Sequence, residues 1–219
     1  MSEQTIFNRE PVLDTVERVS EMCFGLFMAL TFVGAVNAIG EEKQTGVVMF
    51  YTAFGCNLAW GLVDAVMYLV RTLTNRGKVL SLCRAVRRAP NAAGGANVVR
   101  NGMPQQLASV MGDAEIEAIR ARIVAMPLPE KPELNGRDFF GAFGIFLIVV
   151  ASTFPVALPF VLMDNTKAAL IVSRVLTLVM LFGGGLALGK FAGYGSWRTG
   201  MAMVGLGIVL TIAIIALGG

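Results

Sequence analysis

The sequence contains no histidine at all. That removes imidazole metal ligands, histidine general bases and histidine proton relays together. Cysteine is nearly as scarce: Cys23, Cys56 and Cys83 are the full set, and no two stand at CxxC spacing. A zinc ribbon and a dithiol redox motif are therefore excluded, and the three read as free thiols packed like small hydrophobes. Charge is thin, with 15% of residues Asp, Glu, Lys or Arg. No nucleophile elbow, phosphate-binding loop or zinc signature occurs, so an enzyme is not expected. The first residues are polar and mostly acidic (Glu3, Glu10, Asp14, Glu17), unlike the basic and then apolar start of a secretory signal. Val12, Val16 and Val19 fall there at helical spacing, so residues 1–19 are expected to form a cytoplasmic amphipathic segment at a membrane surface.

What is abundant is apolar. Of 219 residues 55% are hydrophobic, and several runs exceed 18 residues with hardly a charge, which a soluble domain seldom shows. The expected fold is all-α and polytopic, with five transmembrane helices and a cytoplasmic helical insert between spans two and three. Residues 20–72 hold spans one and two, and span one closes at Gly40–Lys43. Residues 73–137 form the insert, and 138–219 hold spans three to five. Within the insert, 73–88 reads as a basic helix, 90–95 as a breaker and 103–126 as a second helix. Pro127, Pro129 and Pro132 then stiffen a linker.

Eleven of the 18 Lys and Arg lie between Arg71 and Arg137. In the five-span layout the opposite side holds Lys43 and Lys167 alone. The positive-inside rule then puts the N-terminus and the insert in the cytoplasm and the C-terminus on the other side. This describes an integral multi-pass protein, expected in a bacterial inner (cell) membrane. The basic insert is suited to anionic lipid headgroups or an acidic protein partner. It lacks the aromatic interleaving of a nucleic-acid surface, so no nucleic acid is expected.

The second span carries Asp64 well inside its apolar run. A carboxylate at that depth costs about 2.5–3.5 kcal/mol to insert, so it faces the bundle interior or a cavity. At helical spacing Asp64 shares a stripe with Ala53, Asn57, Gly61, Tyr68 and Arg71. Two readings stand side by side. Asp64 with Met67 and Asn57, completed by Glu21 at the start of span one, joins a carboxylate to a thioether. That donor set suits a borderline-soft cation such as Fe²⁺ or Mn²⁺, transported rather than permanently bound. Alternatively, Asp64 forms an intramembrane ion pair with Arg174 of span four, or belongs to a structural polar seam. Arg174 could also snorkel outward or bind an anion. The 12 methionines scatter instead of converging on one face. The glycines at 185, 189 and 193 are spaced for close helix packing.

The segments Ser152–Leu162, Ile171–Gly185 and Trp197–Gly207 resemble the third, fourth and fifth helices of the vacuolar iron transporter family. So does the order of two spans, an insert and three spans. The resemblance implies the same all-α scaffold, a homodimer and divalent metal transport, of iron or manganese, with coupling to protons as an option. Where that family carries aspartate, glycine and leucine in its first helix, this chain has Phe24, Gly25 and Leu26. Where its second helix ends a serine–methionine–alanine stretch in glycine and glutamate, this chain has Asn57–Leu62, with leucine at both ligand positions. A second expectation follows: a membrane scaffold or accessory subunit that keeps the family fold without transporting.

Overall fold

The computed structural model of the chain describes residues 15–38, 46–193 and 195–216, the side chains of 32–38 and 192 excepted. The expected surface segment, up to residue 14, and the turn at Gly40–Lys43 lie outside the described residues. All regular structure among the described residues is α-helical. The helices are α1 (Thr15–Ala38), α2 (Gly46–Arg88), α3 (Ala92–Asn101), α4 (Gln105–Val110), α5 (Asp113–Ala125), α6 (Gly136–Ala157), α7 (Pro159–Leu162), α8 (Thr166–Ala192) and α9 (Ser196–Ala216). Four stretches are long and apolar enough to cross a membrane: Gly46–Arg88, Gly136–Leu162, Thr166–Phe191 and Ser196–Ala216. The chain is thus an all-helical protein with the helices of a membrane protein.

Local chemistry explains the helix boundaries. No proline interrupts α2, which runs for 43 residues, so second span and basic stretch belong to one helical segment. It stops at Arg88 because Pro90 disfavours helical geometry at Ala89. Asn91 then caps α3 by accepting the Gly94 N–H at 2.7 Å. The break is thus narrower than the expected 90–95, and Gly94 and Gly95 lie inside α3. The single helix expected over 103–126 is two. Gly112 interrupts it, and Glu115 Oε2 accepts the Gly112 N–H at 2.8 Å to start α5. Pro155 lies inside α6, and Pro159 opens α7. Asn165 caps α8 through the Ala168 N–H at 3.1 Å. Gly193, at φ +73°, ends α8 in the left-handed conformation that glycine adopts without strain.

The described residues form two compact units, Leu69–Asp138 and the remainder. In Leu69–Asp138, Val86, Val99 and Ile116 make a small core joined by Met103, Met111, Ile119 and Ile123. Arg120 crosses α3 where a Cβ on Gly95 would come within 2.9 Å of its Cδ. The other unit holds α1, α7, α8, α9, and α2 up to Tyr68 with α6 from Phe139. Cys23, Leu26, Ala29, Val156 and Leu181 form one of its buried clusters, and Met49, Ala53, Phe160, Ala169 and Leu170 another. Helices α8 and α9 cross closely, since a Cβ on Gly185 would stand 2.6 Å from Gly200 Cα. The glycine spacing read from the sequence serves packing there.

Candidate functional site

The inward face of α2 is read off its burial. Met49, Ala53, Asn57, Gly61 and Ala65 are buried, whereas Leu58, Leu62, Val63 and Val66 are exposed. The small-and-polar stripe of the sequence follows the packed face from Ala53 to Tyr68, whereas Arg71 is exposed. Ala53 packs with Phe160, Ala169 and Leu170, and the stretch from Asn57 to Tyr68 lies on α6. Along α2 the partners descend α6: Asn57 meets Thr153, Gly61 meets Val149 and Phe146, and Tyr68 packs on Ile145 and Val149. The two helices are therefore antiparallel.

Asn57 is 1% exposed and Thr153 fully buried. The Asn57 Nδ2 donates to Thr153 Oγ1 at 2.7 Å. Thr153 Oγ1 donates on to the Val149 carbonyl at 3.0 Å, which also accepts from Ser152 Oγ at 2.8 Å. Ser152 faces α1, where Gly25 leaves room: a Cβ there would stand 2.6 Å from Ser152 Oγ. Three helices thus converge on a seam of one amide, two hydroxyls and one carbonyl. The Asn57 amide oxygen is buried and has no hydrogen-bond partner among the described residues. Leaving such an acceptor idle costs about 1–3 kcal/mol. It is suited to accept a proton donor or to coordinate a cation.

The other candidate residues are distributed as follows. Asp64 is half-buried on the same face of α2, two turns from Asn57, with its Oδ2 oxygen wholly buried. Glu21 is half-buried on α1. Met67 is 47% exposed, turned away from the seam. Arg174 is half-buried on α8 and forms no ion pair among the described residues. No group of three or more Cys, Asp or Glu side chains among the described residues could hold a metal ion. Asn57 and Asp64 therefore share a face, and Met67 does not join them.

Sequence reasoning missed Ser152 and Thr153 as partners of Asn57. The available signal was a hydroxyl pair inside an apolar run just before Pro155. It also missed that basic residues of the insert are already engaged. Arg76 binds Asp138 through two hydrogen bonds, 2.6 and 2.7 Å, and the Glu133 carbonyl at 2.7 Å. Glu117 is hydrogen-bonded by Arg120, which holds its carboxyl below the usual carboxylate range.

The helices and the polar seam define a class, a polytopic helical membrane protein with a hydrogen-bonded buried polar site. Compared with protein-family models and with curated proteins, the chain matches none.

Proposed function

We propose that this chain is a membrane transporter of a divalent cation, iron or manganese, and a divergent relative of the vacuolar iron transporter family. In this reading α1 is a fifth span, the N-terminus and the insert are cytoplasmic, and the protein works as a homodimer. Asp64 is the membrane-embedded carboxylate, and Asn57 offers its open amide oxygen on the same face of α2. Glu21 supplies a second carboxylate from α1. The observation that carries the reading is the buried, unpartnered oxygen of Asn57 in the seam with Thr153. Intramembrane ionisable and polar groups of this kind mark pathways by default.

The test is Fe²⁺ and Mn²⁺ uptake into proteoliposomes loaded with a fluorescent chelator. Wild-type uptake that vanishes in Asp64→Asn supports the pathway. Folded wild-type protein that carries neither ion sinks the reading for these cations. A second reading, a scaffold or accessory subunit that does not transport, is favoured by the outward turn of Met67 and by the lack of a three-ligand group among the described residues. It expects Asp64→Asn to leave assembly and thermal stability nearly unchanged and no uptake in either form.

A further inference from the structure

The acids of Leu69–Asp138 are largely engaged. Asp138 pairs with Arg76, Asp113 with Arg100, Glu117 with Arg120 and Glu133 with Lys131, while Glu115 caps Gly112. The basic residues at the end of α2 are handled differently. Arg84, Arg87 and Arg88 stand at i, i+3 and i+4, on one face of the helix. Arg84 Nη2 donates to the carbonyls of Pro129, at 3.3 Å, and Glu130. Arg87 donates from Nε to the Ile123 carbonyl at 3.1 Å, and from Nη2 to the Met126 carbonyl. These contacts set the last turn of α5, which carries Arg122, beside the C-terminal end of α2.

Carbonyls fix a guanidinium without neutralising it. Arg84, Arg87, Arg88 and Arg122 form no ion pair among the described residues, and the last three are exposed. The opposing field comes from the C-termini of α2 and α5, worth about half a negative charge each. Glu130, whose carbonyl holds Arg84, adds one carboxylate beside the cluster, so four guanidiniums against it and two such ends leave roughly two positive charges. Arg84 keeps Nε and Nη1 undonated among the described residues, and Arg87 keeps Nη1. The carbonyl contacts hold the Arg84 and Arg87 side chains in place, so these two have little ordering entropy left to lose on binding.

We infer that Arg84, Arg87, Arg88 and Arg122 form a phosphate-binding face. The planar guanidinium fork matches phosphate oxygens. The phosphate comes from an anionic lipid headgroup or from a soluble phosphate, and the two sources share this chemistry. Arg84 and Arg87 bind and strap at once, whereas Arg88 and Arg122 bind without strapping.

The test uses the full chain in nanodiscs of phosphatidylcholine alone or with phosphatidylglycerol. Retained lipid is counted by native mass spectrometry, and linker residues 126–133 are followed by hydrogen exchange. A parallel arm titrates inorganic phosphate into the phosphatidylcholine nanodiscs. Wild type is expected to retain phosphatidylglycerol over phosphatidylcholine. Each arginine removed should weaken binding about fivefold. Arg88→Gln with Arg122→Gln should lower retention about 25-fold while linker exchange stays as in wild type, because neither residue holds the linker. Wild-type preference for phosphatidylglycerol that the double variant loses, with no phosphate binding, identifies a lipid headgroup, and phosphate binding with the same variant sensitivity identifies a soluble source. Equal retention of both lipids with no phosphate binding overturns the inference, as does a double variant that binds like wild type. None of these outcomes depends on cation uptake.

Discussion

Asn57 and Thr153, 96 residues apart in sequence, are joined by a 2.7 Å hydrogen bond with no solvent around it. Thr153 has one oxygen to offer, so only one end of the Asn57 amide is satisfied whichever way the amide is turned. The pair should therefore respond asymmetrically to substitution. Thr153→Val leaves the whole buried amide unpaired and is expected to destabilise by about 1–3 kcal/mol. Asn57→Leu combined with Thr153→Val removes both polar groups, so it should melt close to wild type. Thermal unfolding of the purified variants in detergent checks this. A double variant that melts well below Thr153→Val alone would mean that the seam holds the fold by more than mutual satisfaction.

Arg76 and Asp138 make the corresponding bond in Leu69–Asp138. Asp138 is buried and also accepts the Asn135 N–H at 2.7 Å, while Asn135 Oδ1 receives the N–H groups of Arg137 and Asp138. Arg76→Ala would leave a buried carboxylate uncompensated, which costs about 3–5 kcal/mol where a pair is fully desolvated. Arg76 keeps 21% side-chain exposure, so the low end of that range is expected. Arg76→Lys retains the charge but loses the fork and the Glu133 carbonyl together. Hydrogen exchange should accelerate over residues 133–138 in both variants, more in the alanine form. Unchanged exchange in Arg76→Ala would show that the pair is dispensable.

The helices were legible in the sequence because apolar run length is a local signal. Spans three to five fell within a few residues of α6 with α7, α8 and α9. The inward stripe of α2 was legible too, since helical spacing alone gathers Ala53, Asn57 and Gly61. Two local errors had local causes. Gly94 and Gly95 looked like breakers, yet Asn91 caps α3 ahead of them and Gly95 makes room for Arg120. Gly112 fell inside the expected 103–126 helix, yet the Glu115 carboxylate accepts its N–H and opens a new helix there. The partners of α2 were out of reach of the sequence. Nothing in Asn57 names Thr153, and nothing in Arg84 says that a backbone carbonyl will hold it.

Gly185 and Gly200 let α8 and α9 approach more closely than any side chain allows. The Cβ of Gly185→Ala would meet Gly200 Cα, and the Thr199 carbonyl at 2.8 Å, both of them backbone. Relief thus requires the helices to part. Overpacking of this kind costs about 1–3 kcal/mol, and Gly185→Val should cost more than Gly185→Ala. Gly205, with open space around its Cβ position, is the control, and Gly205→Ala should melt like wild type. The comparison is made by thermal unfolding in detergent. A Gly185→Ala melt equal to that of the control would mean that α8 and α9 re-pack freely.

Met67 and Asn57 stand on different faces of α2, the first 47% and the second 1% exposed. If the cation passes along the buried seam, the thioether takes no part in it. Met67→Leu, close in volume and apolar, is then expected to leave Mn²⁺ uptake within twofold of wild type. Asn57→Leu, which removes the open amide oxygen, should cut uptake tenfold or more, equivalent to a loss of ~1.4 kcal/mol or greater in transition-state stabilisation. Both variants are assayed in the same proteoliposomes at matched protein content, with thermal unfolding to confirm folding. The reverse result, uptake lost in Met67→Leu and kept in Asn57→Leu, would move the pathway to the outward face of α2. Trp60, Val63 and Val70, at helical spacing from Met67, are exposed on that face too. A route there needs a second copy of the chain to enclose it, so the same experiment tests whether one subunit contains the whole path.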